Sequence, residues 1–167
     1  MSSINDIFQV DYLSSLSGLK EKKGRRGRVM KIKFRIWDKR NNRMIMPRKF
    51  ATIIPVLDFN GNLGVMDTYK NWHWHGIVPE DEYELMLFTG LQDKNGREIY
   101  KGDIVRIKHP EEIEGSIHQV IYCGLDNYPA FDLKPQIDTD CNGLSYALAI
   151  CEIEVIGNIY ENPELLG

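Results

Sequence analysis

Asp93-Lys-Asn-Gly-Arg-Glu-Ile-Tyr-Lys-Gly-Asp-Ile-Val-Arg-Ile-Lys108 decides the fold. Asn95-Gly96 is a strong hairpin signal, because both residue types accept the positive φ that a tight two-residue turn requires. It joins the apolar run before it to a strand over Arg97–Tyr100. Gly102-Asp103 is a second turn, in which glycine permits the backbone conformation and aspartate caps it. It feeds Ile104-Val-Arg-Ile-Lys108, whose alternation reads as a half-buried strand. A Gly-Asp turn opening such a strand is frequent in SH3-like barrels, a fold that does not choose a function by itself.

Period two also extends upstream. Tyr83, Leu85 and Leu87 alternate with Glu84, Met86 and Phe88, after a short helical turn at Pro79–Glu82. Ile32, Phe34 and Ile36 alternate with Lys31, Lys33, Arg35 and Trp37, which predicts a strand with one strongly basic face. Asp38–Arg43 is turn material, and Met44–Met46 returns as a short strand. Ala51–Leu57 contains Pro55 and so reads as an edge strand. Asp58–Asn62 turns into a strand at Leu63–Met66, and Asp67–Pro79, without a period, reads as a loop. Downstream, Ile117–Cys123, Ala130–Lys134 and Glu152–Tyr160 are strands, and Asn162–Leu166 is a closing helical turn. The pattern predicts a mainly β protein: an N-terminal β unit over 30–92 and an SH3-like barrel over 93–167. Residues 1–29 read as a flexible extension ahead of a second start at Met30.

Composition narrows the class. Among 167 residues, 43% are hydrophobic and 27% charged, with 14 Gly and 7 Pro, which excludes collagen-like and disordered chains. Three Cys at scattered positions suit reduced thiols in a cytoplasm, not a disulfide framework. No apolar run approaches a membrane span.

The charge is segregated. Residues 20–49 hold fourteen Lys and Arg against two acids, and residues 50–167 hold seven against twenty. Such asymmetry points to nucleic acid as a partner, to docking of one part on another, or to two solvated faces. The candidate interaction residues are therefore Lys31, Lys33, Arg35, Trp37, Lys39, Arg40 and Arg43. Trp72 and Trp74 join them from Trp72-His73-Trp74-His75, because Trp anchors protein contacts. His73 and His75 share a face if extended, but a zinc site needs further ligands that the scattered Cys123, Cys141, Cys151, His109 and His118 do not provide at close spacing. Glu111, Glu112 and Glu114 read as a hydrated acidic loop. No nucleophile elbow, phosphate-binding loop or His-Glu-x-x-His helix occurs, so neither an enzyme nor a cofactor or metal protein is expected.

Three blocks carry a family resemblance: Lys33-Phe-Arg-Ile-Trp-Asp38, Leu87-Phe-Thr-Gly-Leu-Gln-Asp-Lys-Asn-Gly-Arg-Glu-Ile-Tyr-Lys-Gly-Asp-Ile-Val105 and Glu154-Val-Ile-Gly-Asn-Ile-Tyr-Glu-Asn-Pro-Glu-Leu-Leu166. In this order they resemble the YopX family of phage and prophage proteins. The resemblance implies a β-rich fold with an SH3-like barrel in the C-terminal half, a temperate-phage origin and the cytoplasm of a Gram-positive bacterial host. It supplies no catalytic residues. The function expected is that of a non-enzymatic, self-associating protein-interaction factor, with host or phage proteins as further partners. Its basic strand face would dock on an acidic face of the next copy. The alternative is a nucleic-acid-binding module using residues 31–49.

Overall fold

The Asn-Gly and Gly-Asp turns fall where two sheets meet. The structure, a computed structural model, describes residues 32–46, 53–122, 129–137 and 142–167. In chain order the strands are β1 (Phe34–Asp38), β2 (Arg43–Ile45), β3 (Ile53–Leu57), β4 (Leu63–Asp67), β5 (His73–Ile77) and β6 (Tyr83–Gln92). They continue with β7 (Glu98–Tyr100), β8 (Asp103–Lys108), β9 (Ser116–Tyr122), β10 (Phe131–Lys134) and β11 (Glu152–Asn158). Helix α1 (Gly143–Ile150) precedes β11, and 3-10 turns occupy Glu80–Glu82 and Pro163–Leu166. The fold is mainly β with a sheet curled into a half barrel.

Three antiparallel sheets form, with orders β2-β1-β6-β7, β10-β9-β8-β11 and β3-β4-β5. The core lies under the second sheet, where Ile99, Val105, Ile107, Val120, Leu133, Ile153 and Val155 pack with Leu144 and Ala147 of α1. The boundary expected between residues 92 and 93 falls inside the β6–β7 hairpin, and Lys31–Gly167 forms one compact unit. The extension expected over 1–29 lies outside the described residues.

Asp93 shows why this hairpin belongs to both halves. Its Oδ1 accepts the N–H groups of Asn95 (2.8 Å) and Arg97 (2.9 Å) across the turn, and its Oδ2 accepts that of Val155 (3.1 Å) on β11. The Lys94 N–H donates to the Ile153 carbonyl at 2.9 Å. Gly102, at φ 85°, donates to the Val120 carbonyl and its own carbonyl accepts from Ile159, so the second turn is also tied on both sides. A Cβ at Gly102 would fall 2.9 Å from Met86 Cε, too close for any larger residue without movement.

Two segments depart from the sequence pattern. Residues 73–77, expected within a loop, form β5. The strand hides its period because four of its five residues are exposed and the pairing with β4 shifts between Val65 and Met66. It is entered through Asn71 and Trp72 at φ 53° and 60°, a conformation that suits asparagine and strains tryptophan. Helix α1 is apolar along most of its eight residues and so shows no amphipathic stripe. It starts because Asn142 caps it, accepting the Ser145 N–H at 2.8 Å, while the buried Asp132 accepts the Gly143 N–H at 2.9 Å.

Candidate interaction surfaces

The basic strand does not present the face that alternation predicts. Arg35 and Trp37 are buried, at 5% and 8% exposure, and so is Ile36 between them. Both faces of β1 are covered, because the side carrying Arg35 and Trp37 packs toward groups that arrive much later in the chain. Trp37 stacks on Tyr160, with ring centroids 5.5 Å apart and planes 14° apart. Arg35 ion-pairs with Asp103 through Nη2, lies 4.7 Å over the Tyr100 ring, and donates from Nε to Met86 Sδ at 3.4 Å. Asp103 is fully buried and also accepts the Tyr100 N–H at 2.7 Å, so the turn cap expected from sequence doubles as a counter-ion. Burial pushes the Asp103 carboxyl up, with Arg35 and the Tyr100 N–H opposing.

The other described cations of the basic stretch are paired as well. Lys33 bonds Glu98 and lies 5.1 Å over the Phe88 ring. Lys39 meets Glu84 at 2.8 Å, Arg40 meets Glu82, and Arg43 meets Asp38 at 3.1 Å. Glu98 also accepts the Tyr100 hydroxyl at 2.7 Å, and the Lys33 and Tyr100 bonds hold its carboxyl below the usual range. Burial, with Glu98 alongside, raises the Tyr100 hydroxyl to about 12. These five described cations of the basic segment are therefore neutralised by acids of their own chain, on β1, β6, β7, β8 and the turn before β6. Lys31, Arg48 and Lys49 lie outside the described residues.

A cleft of about 390 Å³ opens beside these pairs, lined by Arg35, Met44, Met46, Arg97, Glu98, Tyr100 and Glu161. Its charged groups are occupied within the fold: Arg97 donates to the Val155 carbonyl at 3.3 Å, and Glu161 accepts from Asn158 at 2.6 Å.

Trp74 lies elsewhere, on β5 of the β3-β4-β5 sheet, whose strands pack chiefly on one another, and Trp72 ends the turn that leads into it. Trp72 is 63% exposed and Trp74 41%. Register places Trp74 opposite Met66 and Ile77 opposite Gly64, while Ile54 and Val56 face Met66 and Gly64 from β3. Directly opposed residues share a face, so Ile54, Val56, Met66, Trp74 and Ile77 form one uncharged apolar surface. Glycine is required at position 64 because a Cβ there would fall inside the Trp74 indole. His73 and His75 meet edge to face at 5.1 Å, and His75 Nε2 lies 3.7 Å from Asp67. Among the described residues no three His, Cys, Asp or Glu side chains gather as a metal site. No described helix is long and apolar enough to cross a membrane.

Neither surface contains a nucleophile, base and oxyanion donor set. A mainly β half-barrel protein with an internally paired basic strand and an exposed aromatic sheet is the class that fold and surfaces define. The YopX protein family model matches residues 33–167, and the chain belongs to that family. The crystal structure of protein EF1440 from Enterococcus faecalis is similar, at 29% identity and TM-score 0.54, over 83% of this chain and 99% of that one. Protein yopX from Bacillus subtilis shares the fold at 22% identity and TM-score 0.55, over 80% of this chain and 97% of that one. Among curated proteins none matches the sequence.

Proposed function

We propose that the protein is a non-enzymatic accessory factor of a phage or prophage that acts by protein contact and associates with its own copies. One contrast supports this reading: the described cations of the basic stretch have carboxylate partners within the chain, whereas the aromatic groups around β5 remain exposed. Phosphate-backbone binding draws on cations that release counterions when they meet nucleic acid. Here Lys33, Arg35, Lys39, Arg40 and Arg43 would first have to leave their own acids. Exposed aromatic surface is the commoner anchor of protein interfaces. The phage setting and the cytoplasm of a bacterial host rest on family membership.

Light scattering on the full chain, beside a gel-shift with DNA and RNA, tests this. An oligomeric mass without retardation is the expected result. Retardation that is lost in a Lys39→Glu, Arg40→Glu, Arg43→Glu variant would establish the nucleic-acid module on residues 31–49 instead. A monomer at every concentration would remove self-association.

A further inference from the structure

We infer that two copies of this chain associate by packing their β3-β4-β5 sheets face to face through Ile54, Val56, Met66, Trp74 and Ile77. The inference rests on the self-associating reading above and replaces charge docking as its mode.

Edge pairing is blocked on both sides of this sheet. Pro55 removes an N–H from β3 and sits opposite Val65 in the ladder, while β5 carries His75 as an extra residue with Gly76 at φ 117°. Proline and bulges are the devices by which edge strands avoid adding another strand. What remains open is the face. It bears no charged side chain, and the whole stretch from Ile53 to Val78 holds only Asp58, Asp67 and Lys70, a formal −1. A second copy therefore brings an equally apolar surface and little repulsion. Any basic or acidic partner would gain nothing there from its charge.

The area is also of the right order. Trp74 and Trp72 at 41% and 63%, Tyr69 at 84% and fully exposed Phe59 stand on the sheet and its two turns. At about 150–250 Å² per aromatic side chain, these leave roughly 450–750 Å² of aromatic surface. Ile77, 58% exposed and on the same face as Trp74, brings the sum toward the roughly 800 Å² per partner of a standard interface. The same face on both copies makes the contact isologous, so it closes at a dimer and does not run on as a ring or filament.

Sedimentation of the full chain at 50 mM and 1 M salt, with Ile77→Lys and Trp74→Gln beside wild type, tests the inference. Ile77 is exposed, so Ile77→Lys should keep the wild-type circular dichroism spectrum, which checks that the variant folds. The expected result is a dimer that persists at 1 M salt and whose dissociation constant rises about 30-fold or more in each variant. A wild-type dimer left intact by both substitutions overturns the face while leaving self-association standing. A dimer that 1 M salt dissociates overturns the apolar contact in favour of charge docking. A wild-type monomer at all concentrations overturns both this inference and the reading beneath it.

Discussion

The two N-terminal sheets are built on opposite terms. The β2-β1-β6-β7 sheet is lashed to the C-terminal half by a buried ion pair, a stacked tryptophan and an aspartate that bridges to β11. The β3-β4-β5 sheet meets that frame through the Leu63 N–H, which donates to the Tyr83 hydroxyl at 3.4 Å, and leaves Ile53, Trp74 and Ile77 exposed. The difference teaches that a basic strand need not present a basic face. Among the described residues, Lys33, Arg35, Lys39, Arg40 and Arg43 meet acids of the same molecule, while Trp74 and Ile77 of β5 stay exposed.

If that contrast is right, damage to the frame should cost far more stability than damage to the exposed sheet. Asp103→Ala leaves Arg35 charged, buried and unpaired, and should destabilise by about 3–5 kcal/mol in urea unfolding. Asp93→Ala strips the acceptor from three N–H groups and should cost about 1–3 kcal/mol while leaving the pairing of β9 with β8 and β10 intact by amide exchange. Arg40→Ala and Arg43→Ala remove pairs whose arginines are 69% and 65% exposed, and each should cost less than about 1 kcal/mol. Trp72→Ala, in the turn into the exposed sheet, should stay within about 0.5 kcal/mol in the monomer, because a side chain 63% exposed gives up little contact. A Trp72 variant as damaging as Asp103→Ala would break the comparison.

Acid should act on the frame with a definite sign. The Asn41 amide beside Asp38 and the Lys33 ammonium beside Glu98 hold those carboxyls below their ordinary values. Burial pushes Asp93 up, but the N–H groups of Val155, Arg97 and Asn95 together outweigh it and leave it lowered. Each folded value lies below the unfolded one, so the folded state binds fewer protons near that pH. Their stabilisation is then complete above the unfolded values of 3.8 for Asp and 4.5 for Glu, and is lost as pH falls through the lower folded values. Asp103, raised by burial, runs the other way and adds nothing to this loss. Melting temperature should therefore fall below about pH 4, and fall less in Asp93→Asn than in wild type.

Most of the fold is legible in the sequence because its turns are chemically explicit. Asn95-Gly96, Gly102-Asp103 and Asp58–Asn62 each mark a hairpin, and period two marks β1, β6, β8, β9 and β11 between them. Strand β5 is not legible, since a bulge breaks its alternation and no glycine announces its turn. Helix α1 is hidden by its uniform apolarity, although Asn142 is a cap that a search for helix starts would find. The candidate surface is legible only in part. Trp72 and Trp74 are exposed as their residue type suggests, whereas Arg35 and Trp37 alternate with Ile36 yet are buried beside it. Alternation reports that a strand has two faces; it does not report that a residue 68 positions later, Asp103, will cover the polar one.

The Arg35–Asp103 pair is the central claim in its smallest form, and a double-mutant cycle measures it directly. Arg35→Met, Asp103→Asn and the double variant would be unfolded in urea at neutral pH, with the coupling taken from the four stabilities. The structure predicts singles costing about 3 kcal/mol or more, a double costing much less than their sum, and a coupling of about 2–3 kcal/mol. Additive costs, with coupling below about 0.5 kcal/mol, would contradict an account in which β1 discharges its basic face inside its own chain.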